Sequence, residues 1–247
     1  MRDDTITDSL VGQSVQIRDL KAEMRVVAHL TLPVLISGER GTGKRLIGRV
    51  IHRHGPYRAR PIAAIDCAIH APFEAQFESV DRTIGSQPNS GSPFATLVLC
   101  HVDLLNASAQ DRLFEHLEHR ERARVIATTT ADLGEMTAMR RFRQDLFYRL
   151  NGIHLESPPL RQRREDIPLL VQHWLRFWSA SRQIPCPQLS AAALKHLIGH
   201  EWPGNVGELQ AMVEEICGRM DSGVIHPFHL PSTYRRKTSG TRSLSSW

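Results

Sequence analysis

Leu32-Pro33-Val34-Leu35-Ile36 runs into Ser37-Gly38-Glu39-Arg40-Gly41-Thr42-Gly43-Lys44-Arg45, and Leu46-Ile47-Gly48-Arg49-Val50-Ile51-His52 follows. The order is an apolar strand, a glycine-rich turn and an amphipathic helix. The glycines and the lysine fit the phosphate-binding loop G-x-x-x-x-G-K-[ST]. Gly41 and Gly43 let backbone N–H groups curl round a phosphate, because a Cβ would crowd the turn. Lys44 adds a point charge, and the helix start adds its dipole. One position breaks the pattern. Arg45 stands where a Ser or Thr hydroxyl would hold Mg²⁺.

Outward from the loop, strands and helices alternate. Residues 10–28 carry apolar residues at helical spacing. Pro61-Ile62-Ala63-Ala64-Ile65-Asp66-Cys67, Ala95-Thr96-Leu97-Val98-Leu99-Cys100 and Arg124-Val125-Ile126-Ala127-Thr128-Thr129 read as further strands, and Ile153-His154-Leu155 as a fifth. Most are almost wholly apolar, which argues a parallel sheet covered on both faces. Helices are expected around residues 73–77, over 104–120 and over 142–150. After Pro158-Pro159 the pattern changes to three helices, over residues 165–180, 190–200 and 204–218, with no strand between them. The expected organisation is a disordered lead over 1–9, an α/β nucleotide-binding unit over 10–160, an all-helical lid over 161–231 and a basic disordered tail over 232–247.

Bulk properties exclude several classes. The chain has 247 residues, enough for a sizeable core, and is 41% hydrophobic. No run approaches the roughly 18 apolar residues of a membrane span. The polar start Met1-Arg2-Asp3-Asp4-Thr5 is not a signal peptide. Cys67, Cys100, Cys186 and Cys217 are widely spaced and read as reduced thiols of a cytoplasmic protein. The formal charge of +5 is partly local, in Arg235, Arg236, Lys237 and Arg242. It permits nonspecific contact with nucleic acid without requiring it.

Several ordered strings carry a family resemblance. They are Leu10-Val11-Gly12-Gln13-Ser14, the loop itself, Ile51-His52-Arg53, Phe142-Arg143-Gln144-Asp145-Leu146-Phe147-Tyr148-Arg149-Leu150-Asn151, Pro158-Pro159-Leu160-Arg161-Gln162-Arg163-Arg164-Glu165-Asp166-Ile167 and Trp202-Pro203-Gly204-Asn205-Val206-Gly207-Glu208-Leu209. Together they resemble the AAA+ central domain of sigma-54-dependent transcription activators (bacterial enhancer-binding proteins) over about residues 10–232. The resemblance implies an AAA+ P-loop fold with a parallel five-stranded sheet and a helical lid. It implies ATP or ADP bound by Gly38, Glu39, Arg40, Gly41, Thr42, Gly43, Lys44 and Arg45. It also implies assembly into rings, in which Arg143 and Arg149 would reach a neighbour's nucleotide as arginine fingers. An alternative for Arg149 is a pair with Asp145 at i,i+4 spacing.

The chain departs from that family at five places. The third strand would end in Asp-Glu, the Asp organising Mg²⁺ and the Glu polarising water. Here Cys100 and His101 stand there. A neutral thiol is a poor Mg²⁺ ligand, His101 is at best a weak base candidate, and Asp103 lies two residues on. No metal site is assigned, and the sequence leaves the place of Mg²⁺ open. The family carries an acidic residue after the lysine, where Arg45 either offsets phosphate charge or blocks a metal. The GAFTGA loop that touches the sigma factor is missing, and residues 85–93 read as a linker loop, which argues against direct sigma-54 contact. Thr130 replaces a sensing Asn, and Gly207 replaces a lid arginine. No helix-turn-helix follows Pro231, which argues against sequence-specific DNA reading.

Three readings stand. The chain is an active ATP-hydrolysing activator, a nucleotide-binding relative with impaired hydrolysis that assembles with itself or in mixed rings with related activators, or a non-functional truncated remnant. The residues favour the second.

Overall fold

The computed structural model describes residues 10–68, 75–76, 95–119, 123–220 and 223–235. The expected helix around residues 73–77 and the linker loop over 85–93 lie almost wholly outside them. A five-stranded sheet carries the first unit: β1 (Val34–Ser37), β2 (Ile62–Asp66), β3 (Ala95–Cys100), β4 (Ala123–Thr129) and β5 (Ile153–Glu156). The spatial order is β2-β3-β4-β1-β5, and every pairing is parallel. The chain leaves β1 for the far edge and later returns past it to β5. The crevice at the carboxyl ends of β1 and β4 is therefore the switch point where ligands bind in such sheets.

Side-chain alternation sorts the two faces. Leu35, Ile65, Leu97, Leu99, Val125 and Ala127 pack with Leu113, Leu146 and Leu150 of the helices α3 (Ala107–His119) and α5 (Gln144–Leu150). Val34, Ile36, Val98 and Ile126 face the other way, against α1 (Val15–His29) and α2 (Lys44–Arg53), which supply Ile17, Met24, Ile47 and Ile51. Ser14 caps α1 by accepting from the Ile17 N–H. Arg124, buried on β4, donates to the carbonyls of Val27 and Ala28 and so closes the other end of α1.

Two details differ from the sequence reading. The 104–120 helix begins at Ala107, because residues 102–104 form a 3₁₀ turn and the Asn106 side chain accepts from the Ala109 N–H. A short helix, α4 (Leu133–Ala138), was not anticipated. It is capped by Asp132 and buries only Leu133.

The second unit holds α6 (Ile167–Arg182), α7 (Ala191–Ile198) and α8 (Asn205–Arg219) round Leu170, Leu197, Trp202, Leu209 and Val213. It is not all-helical. A small parallel pair, β6 (Gln188–Leu189) and β7 (Val224–Ile225), brings Ile225 into this core. Nor does order end at residue 231. Ser232–Tyr234 is a 3₁₀ turn, and the Tyr234 ring stacks on Trp202 at 5.1 Å between centroids. Arg235, expected in the basic tail, donates to the carbonyls of Leu230 and Phe228.

Two polar joints tie the units together. Asp166, fully buried, accepts from the Gln13 N–H at 2.6 Å, the Ser14 N–H at 2.9 Å and the Ser14 hydroxyl at 2.6 Å. At the second joint, Arg161 grips Glu39 with two hydrogen bonds of 2.7 and 2.5 Å. The buried Asn205 donates to Glu39 at 3.2 Å and to the Arg40 carbonyl at 2.9 Å, and it accepts from the Leu160 N–H at 2.7 Å. These hydrogen bonds from Arg161 and Asn205 hold the Glu39 carboxyl down to about 2.

Two outcomes follow. Asp166→Ala strands the Ser14 donors and is expected to cost about 3 kcal/mol, read by denaturant unfolding. A loss within experimental error would remove this joint from the stability of the chain. The Glu39 carboxyl titrates lower in the folded chain than its ordinary 4.5, so its stabilisation is complete above that value and fades as pH falls towards about 2. The stability difference between native protein and Glu39→Gln should shrink on acidification through this window. Its size stays small, since Arg161 and Glu39 are 40% and 41% exposed and screened by solvent.

Candidate functional site

The glycine loop leaves β1 at Ser37 and enters α2 at Lys44. Gly41 has φ +79° and Gly43 φ +101°, conformations that a side chain disfavours. Gly41 is required on a second count. A Cβ there would lie 2.1 Å from the Gly204 carbonyl oxygen of the lid. Gly43 caps α2 without a side chain. The N–H groups of Gly41, Gly43, Lys44 and Arg45 donate to no backbone carbonyl outside regular helix or strand bonding, so they remain available to an anion. Thr42 holds the turn by donating its hydroxyl to the Glu39 carbonyl at 2.9 Å.

Lys44 is buried. Its Nζ donates to the carbonyls of Gly38 at 2.7 Å and Glu39 at 2.8 Å, folded back over the loop. Burial lowers its pKa, against the opposing charges of Asp103 and Glu39. The sequence-expected residues from Gly38 to Arg45 thus form one continuous element, with the lysine charge laid across it.

The ends of β2, β3 and β4 supply the next layer. Cys100 is buried, and burial pushes its thiol up despite nearby Arg45, so it is neutral at ordinary pH. His101 adopts a left-handed backbone at φ +58°, and its N–H donates to the Thr128 hydroxyl at 3.2 Å. The His101 Nδ1 lies 3.0 Å from the Asp66 carboxylate. Burial pushes the Asp66 carboxyl up, but the hydrogen bonds from His101 and the Ala68 N–H outweigh it and hold the group below its ordinary value. Asp103 accepts from Thr130 twice, from the N–H at 3.2 Å and from the hydroxyl at 2.8 Å. Asp66 and Asn205 were not singled out from sequence. The signal for Asp66 is an acidic residue at the carboxyl end of a buried parallel strand.

The arginines part company. Arg143 is held within its own chain by Asp145 at 2.6 Å and Asp111 at 2.5 Å, and it lies over the Phe114 ring at 4.6 Å. The hydrogen bonds it donates to Asp145 and Asp111 raise its pKa further. Arg149 donates to the Leu117 carbonyl at 3.0 Å. The alternative pairing of Arg149 with Asp145 is therefore corrected: Asp145 turns towards the helix start and meets Arg143. Gly207, without a side chain, donates its N–H to the Gly41 carbonyl at 3.1 Å, placing α8 directly on the loop. A cavity of about 410 Å³ at the carboxyl ends of β1, β4 and β5 was not foreseen. Thr129, Thr130, Asp132, Asn151, His154 and Glu156 line it.

Among the described residues, no group of three or more His, Cys, Asp or Glu side chains is placed to hold a metal ion. No helix there is long and apolar enough to cross a membrane.

Comparison with known proteins agrees with this architecture. Residues 11–160 match the family model of the sigma-54 interaction domain, and residues 161–246 match that of the AAA+ ATPase lid domain. The chain is 35% identical over 226 residues to the DNA-binding transcriptional activator HyfR of Escherichia coli, covering 83% of this chain and 34% of HyfR. It is 33% identical over 249 residues to the response regulator PilR of Pseudomonas aeruginosa, covering 91% and 55% of the two chains. It thus spans about half, or less, of the curated relatives it matches. NtrX from Brucella abortus, in a crystal structure with ADP, superposes with a TM-score of 0.77 at 25% identity, covering 90% of this chain and 55% of NtrX. NtrX has also been crystallised with ATP, at a TM-score of 0.76 and 25% identity, covering 91% and 57% of the two chains. The chain, with its glycine loop and lid, belongs to the sigma-54 interaction domain family of AAA+ ATPases.

Proposed function

We propose that this chain binds ATP or ADP in the loop from Gly38 to Arg45, hydrolyses it weakly or not at all, and acts by assembling with itself or with related AAA+ activators. The observation that carries the binding half is the set of open N–H groups at Gly41, Gly43, Lys44 and Arg45, beside a buried lysine. They offer the donors that a phosphate chain needs. The NtrX complexes with ADP and ATP support nucleotide in this fold.

In this reading the loop N–H groups hold the phosphates. Lys44 exchanges its contacts with the Gly38 and Glu39 carbonyls for phosphate oxygens. The nucleotide, once bound, supplies a phosphoanhydride that water can attack. Attack needs a group to orient and polarise that water. The strand end offers a neutral buried Cys100 and a His101 engaged by Asp66. With the acid pair replaced, turnover falls by orders of magnitude. His101 remains the residue closest to a base in this position, and a weak one.

Assembly rests on the family and on Arg143 and Arg149. Arg143 must release Asp111 and Asp145 before it can reach a neighbour's nucleotide. Its finger role would therefore appear only in the assembled state. The reading places the chain in the cytoplasm, and the missing GAFTGA string argues against direct sigma-54 contact.

A fluorescent ATP analogue should bind the native chain, with binding lost in Lys44→Ala. Phosphate release at high protein concentration should stay near background. A robust rate abolished by Lys44→Ala would sink the impaired-enzyme reading. Equal or absent analogue signals for the two proteins would remove nucleotide altogether. Co-purification with a full-length activator of the family tests assembly, and absence of mixed complexes would favour the remnant reading.

A further inference from the structure

Mg²⁺ requires hard oxygen ligands in near-octahedral array. Three acidic side chains near the loop are already engaged. Glu39 is gripped by Arg161 and Asn205, Asp66 by His101 and the Ala68 N–H, and Asp103 by the N–H and hydroxyl of Thr130. The strand end beside the loop presents a thiol, Cys100, which is soft and protonated. Where a hydroxyl would complete the metal's shell, the chain places Arg45, a permanent cation. The donor set does not fit Mg²⁺, and Arg45 would repel it.

The same position suits a different task. Arg45 is the second residue of α2, directly after Lys44 at the uncapped helix start. Its side chain is exposed rather than buried in the helix packing. The residue follows Lys44 directly at the first turn of α2, where the open N–H groups of the loop would meet a phosphate chain. A guanidinium there can form two parallel hydrogen bonds to phosphate oxygens.

We infer that Arg45, together with Lys44, takes the place of the divalent cation, so that this chain binds nucleoside di- or triphosphate without Mg²⁺ and prefers the metal-free form. The inference rests on the nucleotide-binding reading above. It also accounts for a loop kept intact beside a strand end stripped of its metal carboxylate. Charge neutralisation of the phosphates then comes from fixed side chains. Such a site holds nucleotide but lacks a mobile metal to draw charge from the leaving phosphate.

The test is a titration of the full chain with a fluorescent ATP analogue, once in EDTA and once in excess Mg²⁺. Affinity in EDTA should equal or exceed affinity in Mg²⁺. Arg45→Ser, which restores a hydroxyl and removes the charge, should lose about tenfold in EDTA. Arg45→Lys should keep most of the metal-free binding, and thermal unfolding should show both variants folded. Binding by the native chain only when Mg²⁺ is present would overturn the inference while leaving nucleotide binding standing. So would undiminished binding of Arg45→Ser in EDTA. No binding of the native chain in either condition would overturn both.

Discussion

One buried amide organises the molecule. Asn205 sits at the start of α8 with a left-handed backbone at φ +54°, and its side chain bonds in three directions. It meets Glu39 and the Arg40 carbonyl on the glycine loop, and the Leu160 N–H at the hinge between the two units. A buried amide that lost these partners would carry a desolvation cost of about 1–3 kcal/mol. The joint is therefore discrete: it is made with all its bonds or it is broken. The loop, the lid and the linker are held in one arrangement because this side chain bonds to all three.

The second organising constraint is electrostatic. The loop brings Lys44 and Arg45 together at the positive end of α2, and the acidic side chains nearby are assigned elsewhere. Asp66 serves His101, Asp103 serves Thr130, and Glu39 serves Arg161. The loop itself presents cations and open N–H donors. That composition favours a polyanion as ligand. It is poorly suited to activating water, which needs an unengaged base. On the proposed reading, binding and hydrolysis are separable properties of this fold, and the side chains here serve the first.

The sheet was legible in the sequence because parallel strands buried on both faces are near-continuous apolar runs, as Val34-Leu35-Ile36 and Leu97-Val98-Leu99 are. The loop was legible because its spacing is local. The short pieces were not. β6 and β7 have two residues each, and α4 buries one side chain, so neither leaves a periodic pattern. Pairings across the chain were equally silent. Asn205 and Glu39 lie 166 positions apart, and His101 and Asp66 lie 35 apart. Helical spacing offered Arg149, four residues on, as one possible partner of Asp145, and gave no signal for Arg143, two residues before it. The helix begins at Gln144, so Arg143 precedes it and its side chain turns back over the first turn.

The Gly204 carbonyl and the Gly207 N–H rest against Gly41. The lid therefore stands in its docked position by the chain's own bonds, and Lys44 is already satisfied by loop carbonyls. The lid and the loop thus share a backbone hydrogen bond, so a partner whose affinity differs between the docked and undocked arrangements is coupled by linkage to the loop, even where it touches only the lid.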